Sequence, residues 1–184
     1  NETPGTFKIE RIGGPAVPAP LSGETISKGL ATAAQFVSGI ATTFADWTRL
    51  FAQHPNAFPA IDQSMFQKGG GAKDIYYAHA YWKIAPDEAW VIEVTPPECY
   101  YWNFQLDNWW MESLDYRFRQ ITVNKHSARY EADGSIRIIC AASDPGVGNW
   151  IDTCGHREGT ALLRWAGATE HHLPAACIVK RKDL

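Results

Sequence analysis

Nowhere does the sequence hold an unbroken apolar run near the roughly 20 residues that a membrane-spanning helix needs. Its opening is polar, with Pro4 and Gly5 in place of an apolar stretch, so no secretory leader is expected there. The first residue is Asn1 rather than Met, and the chain is expected to be a piece of a longer protein. Cysteine is sparse. Cys99, Cys140, Cys154 and Cys177 include no pair at the short spacing of a zinc clip or a redox motif. Cys99 and Cys140 stand in strand-like apolar surroundings and read as buried thiols, which points to a reducing cytoplasm. Positive charge is thin as well. The net charge is −3, and the one compact basic run is Lys180, Arg181 and Lys182. Neither nucleic acid nor membrane is therefore expected as a partner. The run Gly69-Gly70-Gly71 lacks the Lys-Ser/Thr ending of a phosphate loop and reads as a connector. No cofactor is expected.

What is present is an ordinary globular balance. The chain has 184 residues, 45% hydrophobic and 20% charged, enough to bury a core without staples. After Phe7, Ile9 and Ile12, the residues Gly13, Gly14, Pro15, Pro18 and Pro20 break regular structure. Ser22 then offers a cap for a helix over 22–51. Ile26, Leu30, Ala33, Val37, Ile40, Phe44, Trp47 and Phe51 step by 4, 3, 4, 3, 4, 3 and 4, which draws one apolar stripe. At roughly 1.5–3 kcal/mol per large apolar side chain, the stripe is expected to dock along its length. His54-Pro55 ends the helix. Residues 1–73 thus read as an arm, a helix and a connector.

From Asp74 the pattern turns to strands, over 75–84, 89–94, 100–106, 120–124, 136–141, 160–165 and 176–179. Turn signals at Pro86-Asp87, Asp133-Gly134 and Asp144-Pro145-Gly146 separate them. Residues 74–184 are expected to form an antiparallel β-sandwich, an α+β fold with the helix in front.

Trp and Tyr crowd into residues 76–116. Strand parity puts Tyr100, Trp102, Phe104 and Leu106 on a core face, and Tyr101, Asn103, Gln105 and Asp107 on a polar face suited to line a cleft. Of Trp109 and Trp110, one is expected in the core and the other at a pocket or interface.

The run from Asp144 to Gly159 gathers ionisable and thiol groups on a glycine-rich loop. Asp152 and His156 suit an acid/base pair, Cys154 and His156 a nucleophile pair, and Asp152 and His156 with His79 or His126 a metal site. A structured loop whose side chains cap turns is the fourth reading.

Several separated motifs carry a resemblance: Tyr101-Trp102-Asn103-Phe104-Gln105-Leu106, Asn124-Lys125-His126, Asp133-Gly134-Ser135, Asp144-Pro145-Gly146, the run Asn149-Trp150-Ile151-Asp152-Thr153-Cys154-Gly155-His156, and Arg164-Trp165. In this order they resemble the bacterial family called domain of unknown function 1214, over about residues 74–167. The segment before it resembles what precedes that domain in bacterial relatives. The resemblance implies a jelly-roll-like sandwich and no established activity. Relatives often carry His-Arg where this chain has Ala142-Ser143, and often Ala in place of Cys154. That leaves Asn149, Trp150, Asp152, His156, Arg157 and Arg164 as the better candidates.

Two functions follow as expectations. One is an enzyme or binding domain for a small apolar or amphipathic molecule. Asp152 and His156 would act on the ligand, and Trp102, Asn103, Asp107, Asn108, Trp110, Asn149, Trp150 and Arg157 would hold it. The other is a non-catalytic accessory domain whose helix and tryptophans face a partner chain or a missing N-terminal domain. A carbohydrate-binding sandwich is a third form and needs a flat exposed row of aromatics.

Overall fold

The structure, a computed structural model, describes residues 4–15 and 17–184. It divides into two compact units, Asn1–Gly39 and Ile40–Leu184. Residues 40–73 fall with the strands because Phe51, Phe58 and Phe66 are buried in that unit's cores.

The first unit holds the arm and the front of helix α1 (Gly23–Phe51). Ser22 starts this helix as expected. Its Oγ accepts from the Thr25 N–H at 3.1 Å, and its carbonyl accepts from the Ile26 N–H at 3.0 Å. Between residues 4 and 39 no described residue is buried. Phe7, Ile9 and Ile12 are over nine-tenths exposed, and Ile26, Leu30, Phe36 and Val37 are also open. The expectation that the whole apolar stripe docks is therefore corrected. Ile40 is still exposed, Phe44 and Trp47 are half-buried, and Phe51 is fully buried. Within the second unit, the last turns of the helix meet a packing surface.

That surface belongs to the second unit, whose eight strands form two four-stranded sheets. The first has the order β1 (Ile75–Lys83), β7 (Glu158–Ala166), β3 (Tyr101–Asp107) and β4 (Thr122–Asn124). The second has the order β6 (Trp150–Asp152), β5 (Ile136–Ala141), β2 (Glu88–Val94) and β8 (Ala175–Lys180). All pairings are antiparallel except β5 with β6, which runs parallel. Side-chain alternation sends Ala78, Ala80 and Trp82, Trp102, Phe104 and Leu106, and Leu163 and Trp165 into one core. There they join Trp90, Ile92, Ile136, Ile138 and Ile151 of the second sheet. The fold is thus α+β with a sandwich arrangement.

Four tryptophans fill this core, and each indole N–H is satisfied, as burial requires. Trp82 donates to the Thr160 carbonyl at 3.0 Å, Trp90 to the Asn56 carbonyl at 3.1 Å, Trp102 to the Tyr130 hydroxyl at 3.1 Å, and Trp165 to the His172 carbonyl at 2.9 Å. A smaller cluster lies on the outer face of the first sheet. There Phe51, the short helix α2 (Ser64–Lys68) through Phe66, and Tyr81 pack with Trp47, Trp109 and Met111. Thr48 fastens the end of α1 by donating to the Trp109 carbonyl at 2.9 Å. No helix among the described residues is long and apolar enough to cross a membrane.

Candidate functional site

The residues expected to form one cleft occupy separate neighbourhoods. Asp152 ends β6 with its carboxylate inside. One oxygen accepts from the Arg119 guanidinium at 2.9 Å and the other from the Cys154 N–H at 2.8 Å. His156 is exposed on the turn that follows, beside Ile84, Pro86 and Ala142. Among the described residues the imidazole paired with a carboxylate is that of His172, 3.4 Å from Glu170. The expected Asp152–His156 pair is therefore not formed, because Arg119 reaches the carboxylate first. Cys154 does not pair with His156 either. Its thiol donates to the Asp152 carbonyl at 3.7 Å, and burial pushes its pKa up, against the thiolate a nucleophile needs. Asp152, His156, His79 and His126 do not converge, and no three His, Cys, Asp or Glu among the described residues are grouped as metal ligands.

Several other candidates tie the chain together. Asn149 sits at φ 54°, accepts from the Arg129 N–H at 2.7 Å, and donates to the carbonyls of Arg129 and Arg137. Asn108 builds a tight turn, its Oδ1 accepting from the N–H groups of Trp110 and Glu112. Trp150 donates to the Ala141 carbonyl and packs on the outer side of the second sheet. Trp102 is core and cannot touch a ligand. Trp110 is half exposed, whereas Trp109 packs under α1. Tyr100, expected in the core, lies outside β3 and is exposed; Arg157 is exposed as well.

The polar face of β3 does find company. Since β7 lies between β1 and β3, cross-strand rows run Tyr77, Arg164, Asn103, then His79, Leu162, Gln105, then Tyr81, Thr160, Asp107. Arg164 is half-buried in the middle strand. Among the described residues no carboxylate lies within ion-pair distance of its guanidinium, and no hydrogen bond reaches it. Asp107 is buried; it accepts from Gln105 Nε2 at 2.5 Å, and burial lifts its pKa to about 6 against that bond and the pull of Arg164. His79 is 3% exposed and stacks on Phe51 at 4.8 Å. Its Nδ1 has no partner. Burial, and the nearby charge of Arg164, lower its pKa to about 3, so the ring is neutral. Tyr77 and Tyr101 complete the surroundings of the guanidinium. Sequence reading finds the polar parity of β3 but not the strand order that sets Arg164 beside it.

No family model matches the chain, and no curated protein matches it. Among solved structures, an uncharacterised protein from Burkholderia cenocepacia is similar at 50% identity and a TM-score of 0.90, over 92% of this chain and 48% of that one. A Vibrio parahaemolyticus protein is similar at 13% identity and a TM-score of 0.48, over 88% of this chain and 47% of that one. The chain thus spans about half the length of these solved proteins and shares its architecture with the first.

Proposed function

We propose that this chain is an interaction module, whose arm and helix pack against another folded polypeptide. The observation that carries the reading is the bare apolar surface of the first unit. Phe7, Ile9, Ile12, Leu30, Phe36 and Val37 are each about two-thirds exposed or more. Exposed apolar surface gathered on one segment marks an interaction site more often than a free surface. The helix is also short of charge, with none between Lys28 and Asp46, and a helix apolar on most sides belongs inside a larger protein. The Burkholderia protein supports the reading, since about as much chain again lies outside the matched part.

The test uses the full chain and the variant Ile26→Glu/Leu30→Glu/Val37→Glu. The parent chain is expected to bind a hydrophobic dye and to self-associate in light scattering. The variant is expected to lose both while keeping the melting temperature of the sandwich. A parent that is monomeric and dye-free at high concentration contradicts the reading.

A second reading, a site for a small apolar or amphipathic molecule, is supported by a groove of about 550 Å³ lined by Leu50, His54, Pro59, Ile61 and Met65. Dye displacement by a fatty acid, abolished by Met65→Arg, tests it. We further propose kinship with the domain of unknown function 1214 family, supported by the ordered motifs from Tyr101 to Trp165. A reducing, cytoplasmic setting is supported by four unpaired thiols.

A further inference from the structure

We propose that the polar outer face of the first sheet, around Arg164, Asp107 and His79, is a binding site for a small carboxylate whose anion sits on the Arg164 guanidinium. The inference is independent of the docking role given to the arm and helix, because all its residues lie on β1, β3 and β7 of the second unit.

Three observations converge on it. A half-buried guanidinium without a carboxylate is an unfinished ion pair, since a cation drawn partly out of water needs an anion close by. Asp107 lies on the same face as Arg164 yet outside ion-pair distance, and the one hydrogen bond to its carboxylate comes from Gln105. It therefore keeps an oxygen for a second polar group. His79, in the next cross-strand row of the same face and stacked on Phe51 and Phe66, supplies the independent sign, a side chain 3% exposed whose Nδ1 meets no partner. Buried polar atoms are paired in nearly all folded proteins, so an orphan beside an orphaned cation points to a missing ligand. The half-buried Asn103 amide, also without a hydrogen bond, faces the same way by register.

The chemistry of the row sets the ligand class. Guanidinium favours a planar, bidentate anion, and a carboxylate matches its fork. Asp107 at the other end takes a hydroxyl donor when ionised. Tyr77 and Tyr101 beside Arg164 provide flat apolar surface, so an aromatic hydroxy-carboxylate is the fitting probe.

The experiment titrates the full chain with 4-hydroxybenzoate, and in parallel with its neutral isostere 4-hydroxybenzamide, by calorimetry and by amide NMR shifts. Saturable binding of the acid is expected, with shifts on β1, β3 and β7 and an affinity at least about tenfold above that of the amide. Arg164→Gln is expected to erase that difference, and Arg164→Lys to restore part of it. The amide comparison needs no variant, so a poorly folded Arg164→Gln leaves the test intact. Equal binding of acid and amide, shifts confined to other surfaces, or no saturation by 4-hydroxybenzoate overturns the proposal. So does a face that accepts an acidic peptide and refuses the free carboxylate.

Discussion

Arg119 donates to the Asp152 carboxylate at 2.9 Å, and this contact separates Asp152 from His156 four residues on. The carboxylate is 6% exposed, and the arginine reaches it from the solvent side. Asp152→Ala would strip the Cys154 N–H and the guanidinium of their acceptor together. A loss of about 1–3 kcal/mol in urea unfolding is expected. His156→Ala, on an exposed ring without a hydrogen bond, should change stability by less than about 0.5 kcal/mol. Equal losses for the two variants would mean that His156 supports the loop after all.

A second prediction concerns Gly159, where β7 passes closest to the end of β3. A Cβ there would run into the Asp107 carbonyl and come within 3.0 Å of the Trp82 indole nitrogen. That nitrogen donates to the carbonyls of Thr160 and Asp107, so the methyl would push against a satisfied donor in the core. Gly159→Ala should cost about 2 kcal/mol or more. Gly39→Ala is the contrast, since a Cβ there meets nothing and the residue is helical. It should stabilise by about 0.5–1 kcal/mol. Thermal melts of the two variants should move in opposite directions.

The strands are legible in the sequence because their signal is local. Alternation over Tyr101–Asp107 and turn residues such as Asp133-Gly134 depend on neighbours a few positions away. The three-residue β6 escapes such reading, since Trp150–Asp152 is too short to alternate and is held by parallel pairing to β5. The stripe on α1 is a genuine pattern, but a pattern does not say what covers it. Phe51 is fully buried and Leu30 is 67% exposed. The site is least legible, because it depends on strand order. Asp152 and His156 are close in sequence and unpaired, whereas Arg164 and Asp107, fifty-seven positions apart, share a face. Nothing in the local sequence shows that β7 runs between β1 and β3.

The acid limb of stability should belong in good part to His79. Its pKa is about 3 in the fold and near 6.5 when unfolded, so between these values the unfolded chain binds the extra proton. The contribution is fully present above pH 6.5 and is lost progressively as pH falls toward 3. His79→Phe has no proton to take up and keeps a ring against Phe51 and Phe66. Its stability should fall less steeply with acid than the parent's. Parallel curves from about pH 7 to about pH 4 would show that the ring is charged in the fold.

Asp107 works in the opposite sense. Burial lifts its carboxyl to about 6 in the fold from 3.8, so between those values the folded chain holds the extra proton. Stability attributable to this group is greatest below pH 3.8, declines as pH rises through the window, and stays reduced above about pH 6. Keeping this buried carboxyl ionised at neutral pH therefore costs the fold on the order of 2–3 kcal/mol. Asn at this position accepts the same Gln105 bond and never ionises. Asp107→Asn should therefore be more stable than the parent at about pH 8 and no more stable at about pH 4, read from urea midpoints at the two values. An unchanged midpoint at the higher pH would show that Arg164 and water already compensate the charge. If the variant is stabilised, the parent retains at neutral pH a buried carboxylate that its own fold does not need. Groups kept at such a cost are typical of binding sites, where the missing partner is the ligand and not another residue of the chain.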